Sequence, residues 1–147
     1  PLYSSAASDV YKRQVVTPHL GEFARMTGEA RAEIARRVPW RARYWARQWG
    51  CIVLLKHVPT VITDGERSYW NLGGNPGMAT AGAGDVLAGI LGAFLGRGLP
   101  PLEAAAYAAF VHSAAGDLCL RSGSAESLTA SALLEALPTV LPQPAIV

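Results

Sequence analysis

The chain has 147 residues, half of them hydrophobic, with 16% charged residues and a formal net charge of +2. That is enough apolar material for one domain with a real core, and too much for a disordered chain. The positive excess is confined to residues 12–49, where nine Lys/Arg stand against three Glu. With no aromatic ladder or nucleic-acid module beside it, this stretch reads as a solvated helix face rather than a nucleic-acid surface. Cys51 and Cys119 are far apart, outside any CxxC or Cys/His zinc spacing, and read as small buried hydrophobes. The longest apolar stretches, such as Val86 to Leu95, are broken by glycines and too short to span a bilayer, so a cytoplasmic protein without membrane partners is expected.

Residues 1–14 show no sustained period and join abruptly to Val15-Val16-Thr17-Pro18. The string Ser-Ser-Ala-Ala-Ser-Asp-Val-Tyr-Lys-Arg-Gln is similar to adapter-derived translations at the ends of metagenomic reading frames, and residues 1–14 are set aside as a foreign leader. Because the chain begins with Pro, it is expected to lack an amino-terminal part that would supply further strands. Val15 to Thr17 predicts the end of a strand, stopped by Pro18, after which His19-Leu20-Gly21-Glu22-Phe23 turns into a short helix. His19 and Glu22 thus fall at a strand's carboxyl end, where open α/β sheets bind ligands. Taken alone, a loop histidine reads as solvent-exposed.

From Glu29 to Trp49 the residues Ile34, Val38, Ala42, Trp45 and Trp49 follow a helical stripe with the arginines largely off it, and Pro39 predicts a break into two helices. Core packing is the expected role of Trp45 and Trp49. Gly50 ends the second helix, and Cys51-Ile52-Val53-Leu54-Leu55 predicts a strand covered on both faces. Lys56 ends that strand, either as a solvated charge on a packed stem or as part of a site. Thr60 to Thr63 and Ser68 to Asn71, flanking Asp64-Gly65-Glu66-Arg67, predict a hairpin. Helices follow at Asp85 to Gly96, Pro101 to Leu120 and Thr129 to Leu137, with a loose tail from Pro138 on. The order of elements is α/β.

Between hairpin and helices lies the run Asn75-Pro76-Gly77-Met78-Ala79-Thr80-Ala81-Gly82-Ala83-Gly84-Asp85. Gly82 and Gly84 let backbone approach an anion, and the first amides of the next helix carry partial positive charge. A carboxylate beside a phosphate so held can take the proton of an attacking hydroxyl. An ordinary turn with a capping Asp is the competing reading. The run lacks the Lys-Ser/Thr of a Walker loop and the glycine spacing of a dinucleotide fingerprint.

Four segments in order, Val16 to Phe23, Leu54 to Thr60, Gly74 to Gly89 and Ala104 to Asp117, resemble the NAD(P)H-hydrate dehydratase family. Gly-Ala-Gly-Asp alone would indicate only the wider superfamily of small-molecule kinases; Asn-Pro-Gly-Met-Ala-Thr and Pro-His-Leu-Gly-Glu point to the dehydratases. The resemblance implies a ribokinase-like three-layer α/β/α sheet, of which residues 15–140 would be the carboxyl-terminal part, with a loose tail at 141–147. It also implies repair of S-hydrated NADH or NADPH: ADP or ATP phosphorylates the ring hydroxyl, and phosphate is then eliminated. Asp85 matches the family's base and substrate contact, His19 a contact to the hydrated dinucleotide, and Ala83, Gly84 and Asp85 its anion hole. Lys56, His57, Val58, Pro59 and Thr60, with Gly84, match the nucleotide site. Mg²⁺ is the implied metal, with no residue of the chain assigned to it. A homo-oligomer and an epimerase, fused or separate, are implied as partners. His57 departs from the family's usual glycine, and strain or a clash is expected if that position needs φ > 0 or lies against the nucleotide; a weakened nucleotide site and a His57 that faces out are both open. His112 and Asp117 read as a packed histidine and a surface charge. The alternatives are a ribokinase-like kinase of a vitamin-precursor alcohol and a noncatalytic piece that binds nucleotide weakly.

Overall fold

The computed structural model describes residues 14–141. Residues 1–13 of the expected leader and 142–147 of the expected tail lie outside the described residues. A four-stranded sheet runs β1 (Val15–Val16), β2 (Ile52–Leu55), β3 (Thr60–Thr63), β4 (Ser68–Asn71), in that spatial order. β1 pairs parallel with β2, and the ladder reaches back to Gln14, whose carbonyl accepts the Ile52 amide at 2.9 Å. β2, β3 and β4 are antiparallel, with Leu54 opposite Ile62 and Val61 opposite Trp70. The β3–β4 turn is held by Asp64, whose Oδ1 accepts the Glu66 and Arg67 amides.

Helices α1 (Leu20–Thr27), α2 (Arg31–Arg36) and α3 (Val38–Trp49) cover one face of the sheet; α4 (Ala83–Gly96), α5 (Pro101–Ser122) and α6 (Ala130–Val140) cover the other. Strand alternation divides the core accordingly. Ile52, Leu54 and Ile62 pack with the later helices, Val53, Leu55 and Val61 with Phe23, Ile34, Val38, Ala42 and Ala46. Every residue of β2 is buried, as its unbroken apolar run requires. The result is the expected α/β/α sandwich.

The break in the arginine-rich region falls at Arg37, with Pro39 in the first turn of α3, where its missing N–H costs nothing. Trp45 and Trp49 are only partly buried and flank the core, which Ala42 and Ala46 reach more closely. Trp45 Nε1 also donates to Glu29 at 2.8 Å. Thr129 caps α6 by accepting the Ala132 amide, and the helix continues through Pro138 to Val140. Helical structure therefore runs past the point at which the tail was expected to begin.

Candidate active site

The site lies at the carboxyl ends of the parallel strands. There His19 and Lys56 form an isolated parallel bridge, and the Lys56 amide donates to Pro18 O at 2.8 Å. His19 caps α1: its Nδ1 accepts the amides of Gly21 (3.0 Å) and Glu22 (3.1 Å). A neutral ring so held carries its proton on Nε2, which lies 3.3 Å from Glu22 Oε1. Glu22 completes the capping box by accepting the His19 amide at 2.7 Å, and its Oε2 lies 3.7 Å from Lys56 Nζ. The His19 amide holds the Glu22 carboxyl below the usual range; burial opposes this and the Lys56 charge adds to it. One carboxylate thus ties the His19 ring and the Lys56 ammonium of this pole together.

Next to them opens a cavity of about 760 Å³, lined among others by His19, Lys56, His57, Val58, Thr60, Ala83, Gly84 and His112. A Cβ built on Gly84 would lie 3.4 Å from Lys56 Nζ, so the ammonium sits against the start of α4. Gly82, at φ +83°, makes the turn into that helix. Among the helix's first amides, Ala83 donates to Thr80 O (3.3 Å), and Asp85 and Val86 to Gly82 O (3.0 and 3.1 Å). Among the described residues, the Gly84 N–H has no protein acceptor. Gly84 lines a cavity that also presents an ammonium and an imidazole, a combination suited to a phosphate.

The other expected residues divide. His57 carries no positive φ, as is true of every described non-glycine residue, so the strain anticipated from its replacing glycine does not arise. Its side chain is exposed at the cavity rim, and its carbonyl accepts the Thr60 hydroxyl at 2.9 Å. Pro59 follows Val58 through a cis peptide bond in the same turn. Asp85 is not in the cavity lining. It is exposed and borders a second, apolar groove of about 560 Å³ between α4 and α6, with Val86, Ile90 and Leu137. The start of α4 therefore partitions two hollows, with Gly84 on one side and Asp85 on the other.

Sequence reasoning missed what holds this turn. Asp117 is half-buried rather than a free surface charge: its carboxylate accepts the Gly74 amide (3.1 Å) and the Asn75 side-chain amide (3.2 Å). Asn75 Oδ1 in turn accepts the Gly77 amide at 3.1 Å. Asn71 donates to Ala109 O at 3.3 Å and accepts the Ser113 hydroxyl. His112 lines the cavity and donates from Nε2 to Ala83 O at 2.9 Å, the only role a carbonyl partner allows. Residues 109, 112, 113, 116 and 117 form one stripe of α5, and that spacing was the available signal.

Burial lowers the His112 pKa from its ordinary value; the Ala83 bond opposes this and the Lys56 charge adds to it. Between the folded value and the ordinary one near 6.5 the unfolded chain binds the extra proton. Stability is therefore expected to fall as pH drops below about 6.5. Urea midpoints taken above and below that pH should show the loss in the unaltered chain, and a smaller one in His112→Gln.

Comparison with known proteins fits this geometry. A family model described as NAD(P)H-hydrate dehydratase matches residues 3–139. The bifunctional NAD(P)H-hydrate repair enzyme of Moorella thermoacetica is 48% identical over 130 residues, covering 86% of this chain and 24% of that protein. The ADP/ATP-dependent NAD(P)H-hydrate dehydratase of Bacillus subtilis, co-crystallized with ATP and Mg²⁺ and soaked with CoA, superposes at TM-score 0.82 with 35% identity, over 86% of this chain and 47% of that one. A ribokinase-like superfamily protein from Enterococcus faecalis V583 superposes at 0.77 with 33% identity, over 87% of this chain and 43% of that one. The chain thus spans a quarter of the bifunctional relative and just under half of each structural one. Its motifs, its ribokinase-like fold and the extent of the match make it a member of the NAD(P)H-hydrate dehydratase family.

Proposed function

We propose that the chain serves the nucleotide-dependent dehydration of S-hydrated NADH or NADPH, a lyase reaction of cofactor repair. The observation that carries this is that Gly84, whose amide has no protein acceptor among the described residues, lines the same cavity as Lys56 and His19. Lys56 to Thr60 and Gly84 receive ADP or ATP, and of the three amides assigned to the anion hole the Gly84 N–H is the donor left for the anion, those of Ala83 and Asp85 being bonded to Thr80 and Gly82. His19 contacts the hydrated dinucleotide. Asp85, across the partition, takes the proton from the ring hydroxyl as it attacks the terminal phosphorus. The donor nucleotide departs one phosphate shorter; phosphate then leaves the ring carbon, where hydroxide would not, as the neighbouring carbon gives up a proton, restoring the nicotinamide double bond.

Mg²⁺ enters this scheme on the nucleotide, held by phosphates and water, and supplies charge to the transferring group. The donor set fits that arrangement: Lys56 and the Gly84 amide are partners for phosphate oxygens, and no cluster of three metal-ligating side chains occurs among the described residues. The word bifunctional in the Moorella relative's name supports an accompanying epimerase, fused or separate, that supplies the S form. A homo-oligomer in the cytoplasm completes the proposal; no described helix is long and apolar enough to cross a membrane.

The test supplies S-hydrated NADH, Mg²⁺ and ADP or ATP and follows the absorbance of regenerated NADH. In parallel, thermal shifts are compared for ADP, hydrated dinucleotide and vitamin-precursor alcohols. Stabilisation by the first two alone is expected; stabilisation by an alcohol alone would transfer the site to a vitamin kinase.

A further inference from the structure

We propose that His112 is a positioning residue of the anion site, acting through the peptide unit between Ala83 and Gly84. This rests on the reading that the Gly84 amide receives a phosphoryl group. The C=O of Ala83 and the N–H of Gly84 belong to one planar trans unit and point in opposite directions. In a helix the oxygen points toward the carboxyl end and the hydrogen out of the amino end. His112 Nε2 grips that oxygen at 2.9 Å, so it aims the hydrogen with it. The neighbouring amides are engaged with Thr80 and Gly82, so the donor that this unit carries is the one left for a ligand.

A regular helix already pairs the Ala83 oxygen with the amide one turn on, and His112 occupies its second lone pair. A carbonyl bonded twice draws electron density from its own N–H, which becomes a stronger donor. The imidazole lines the cavity beside Lys56 and Gly84 and is held in α5 by the same stripe that fixes the approach to the turn through Asn71, Ser113 and Asp117. The remaining members of that stripe are equally constrained. A Cβ on Gly73 would come to 2.9 Å from Ser113 Oγ, and one on Gly116 would collide with Met78, at 2.7 Å from its Cγ. α5 therefore sets the distance between the glycine-rich approach and the first turn of α4, and His112 is its contact to the peptide that meets the ligand.

The test follows the Gly84 amide resonance of the ¹⁵N-labelled chain while ADP with Mg²⁺ is added. In the unaltered chain ADP should move the Gly84 proton downfield, and long-range ¹⁵N correlations should find His112 protonated on Nε2 and bare on Nδ1. His112→Leu should shift the Gly84 proton upfield before ADP is added and weaken ADP binding about tenfold. His112→Gln, whose Nε2 can replace the lost donor, should recover most of that affinity, which a residue that only fills space would not show. Protonation on Nδ1, measured without any variant, overturns the proposal, as does a His112→Leu chain with unchanged Gly84 resonance and ADP affinity. An unaltered chain whose Gly84 ignores ADP overturns the nucleotide reading itself and this inference with it, which separates the two failures.

Discussion

Asp85→Asn is expected to lower turnover of S-hydrated NADH by about 10²- to 10⁴-fold, the range associated with losing a general base. The nucleotide should still bind, because Asp85 borders the groove between α4 and α6 and the nucleotide cavity opens on the Gly84 side. Stability should hardly change. Asp85 is exposed in the first turn of α4, and no side-chain hydrogen bond or ion pair involves it among the described residues. Replacing it forfeits only its interaction with the helix dipole, about 0.3–1 kcal/mol. Single-turnover phosphorylation, ADP affinity and urea midpoint measured together check all three parts. An Asn variant with ordinary turnover would remove Asp85 from the chemistry and turn attention to groups lining the other cavity.

That partition was invisible in the sequence, and the reason is geometric. Gly84 and Asp85 are adjacent, but successive helix residues point about 100° apart, so neighbours in a motif can serve different hollows. Local signals were legible: the unbroken run of β2, the hairpin turning at Asp64 to Arg67, and the short helix that follows Pro18. The unbroken apolar run of β2 was enough to expect cover on both of its faces, while the three-layer arrangement came from the family resemblance. What sequence reading passed over depends on pairings tens of residues apart, such as His112 with Ala83 and Asp117 with Gly74 and Asn75. Among alanines, a histidine in mid-helix gives no hint of its partner, and Asp117 looks like any exposed acid until the loop it captures is in place. At His57 the sequence left two conditions for strain, positive φ or close approach to the nucleotide, and the backbone removes the first.

The glycines of the turn separate those two requirements. Gly84→Ala is expected to leave the fold intact, because a Cβ there meets nothing closer than Lys56 Nζ at 3.4 Å, an ordinary contact. Alanine is the better helix former, so stability should hold or rise by up to about 1 kcal/mol. The added methyl, however, occupies the space through which a phosphate would reach the Gly84 amide and Lys56, and ADP affinity should fall at least about tenfold. Gly82→Ala should do the opposite in part. Its φ of +83° strains any L side chain, and its Cβ would press on that of Ala130 at 3.1 Å, so about 1–2 kcal/mol of stability should be lost before binding is considered. Calorimetric ADP titrations and urea midpoints on the two variants check the contrast. A Gly84→Ala chain that binds ADP as tightly as the unaltered one would mean that no phosphate comes close to this amide. Loss of affinity without loss of stability has no explanation in packing, since among the described residues the new methyl meets only the flexible end of a lysine beyond its own helix turn.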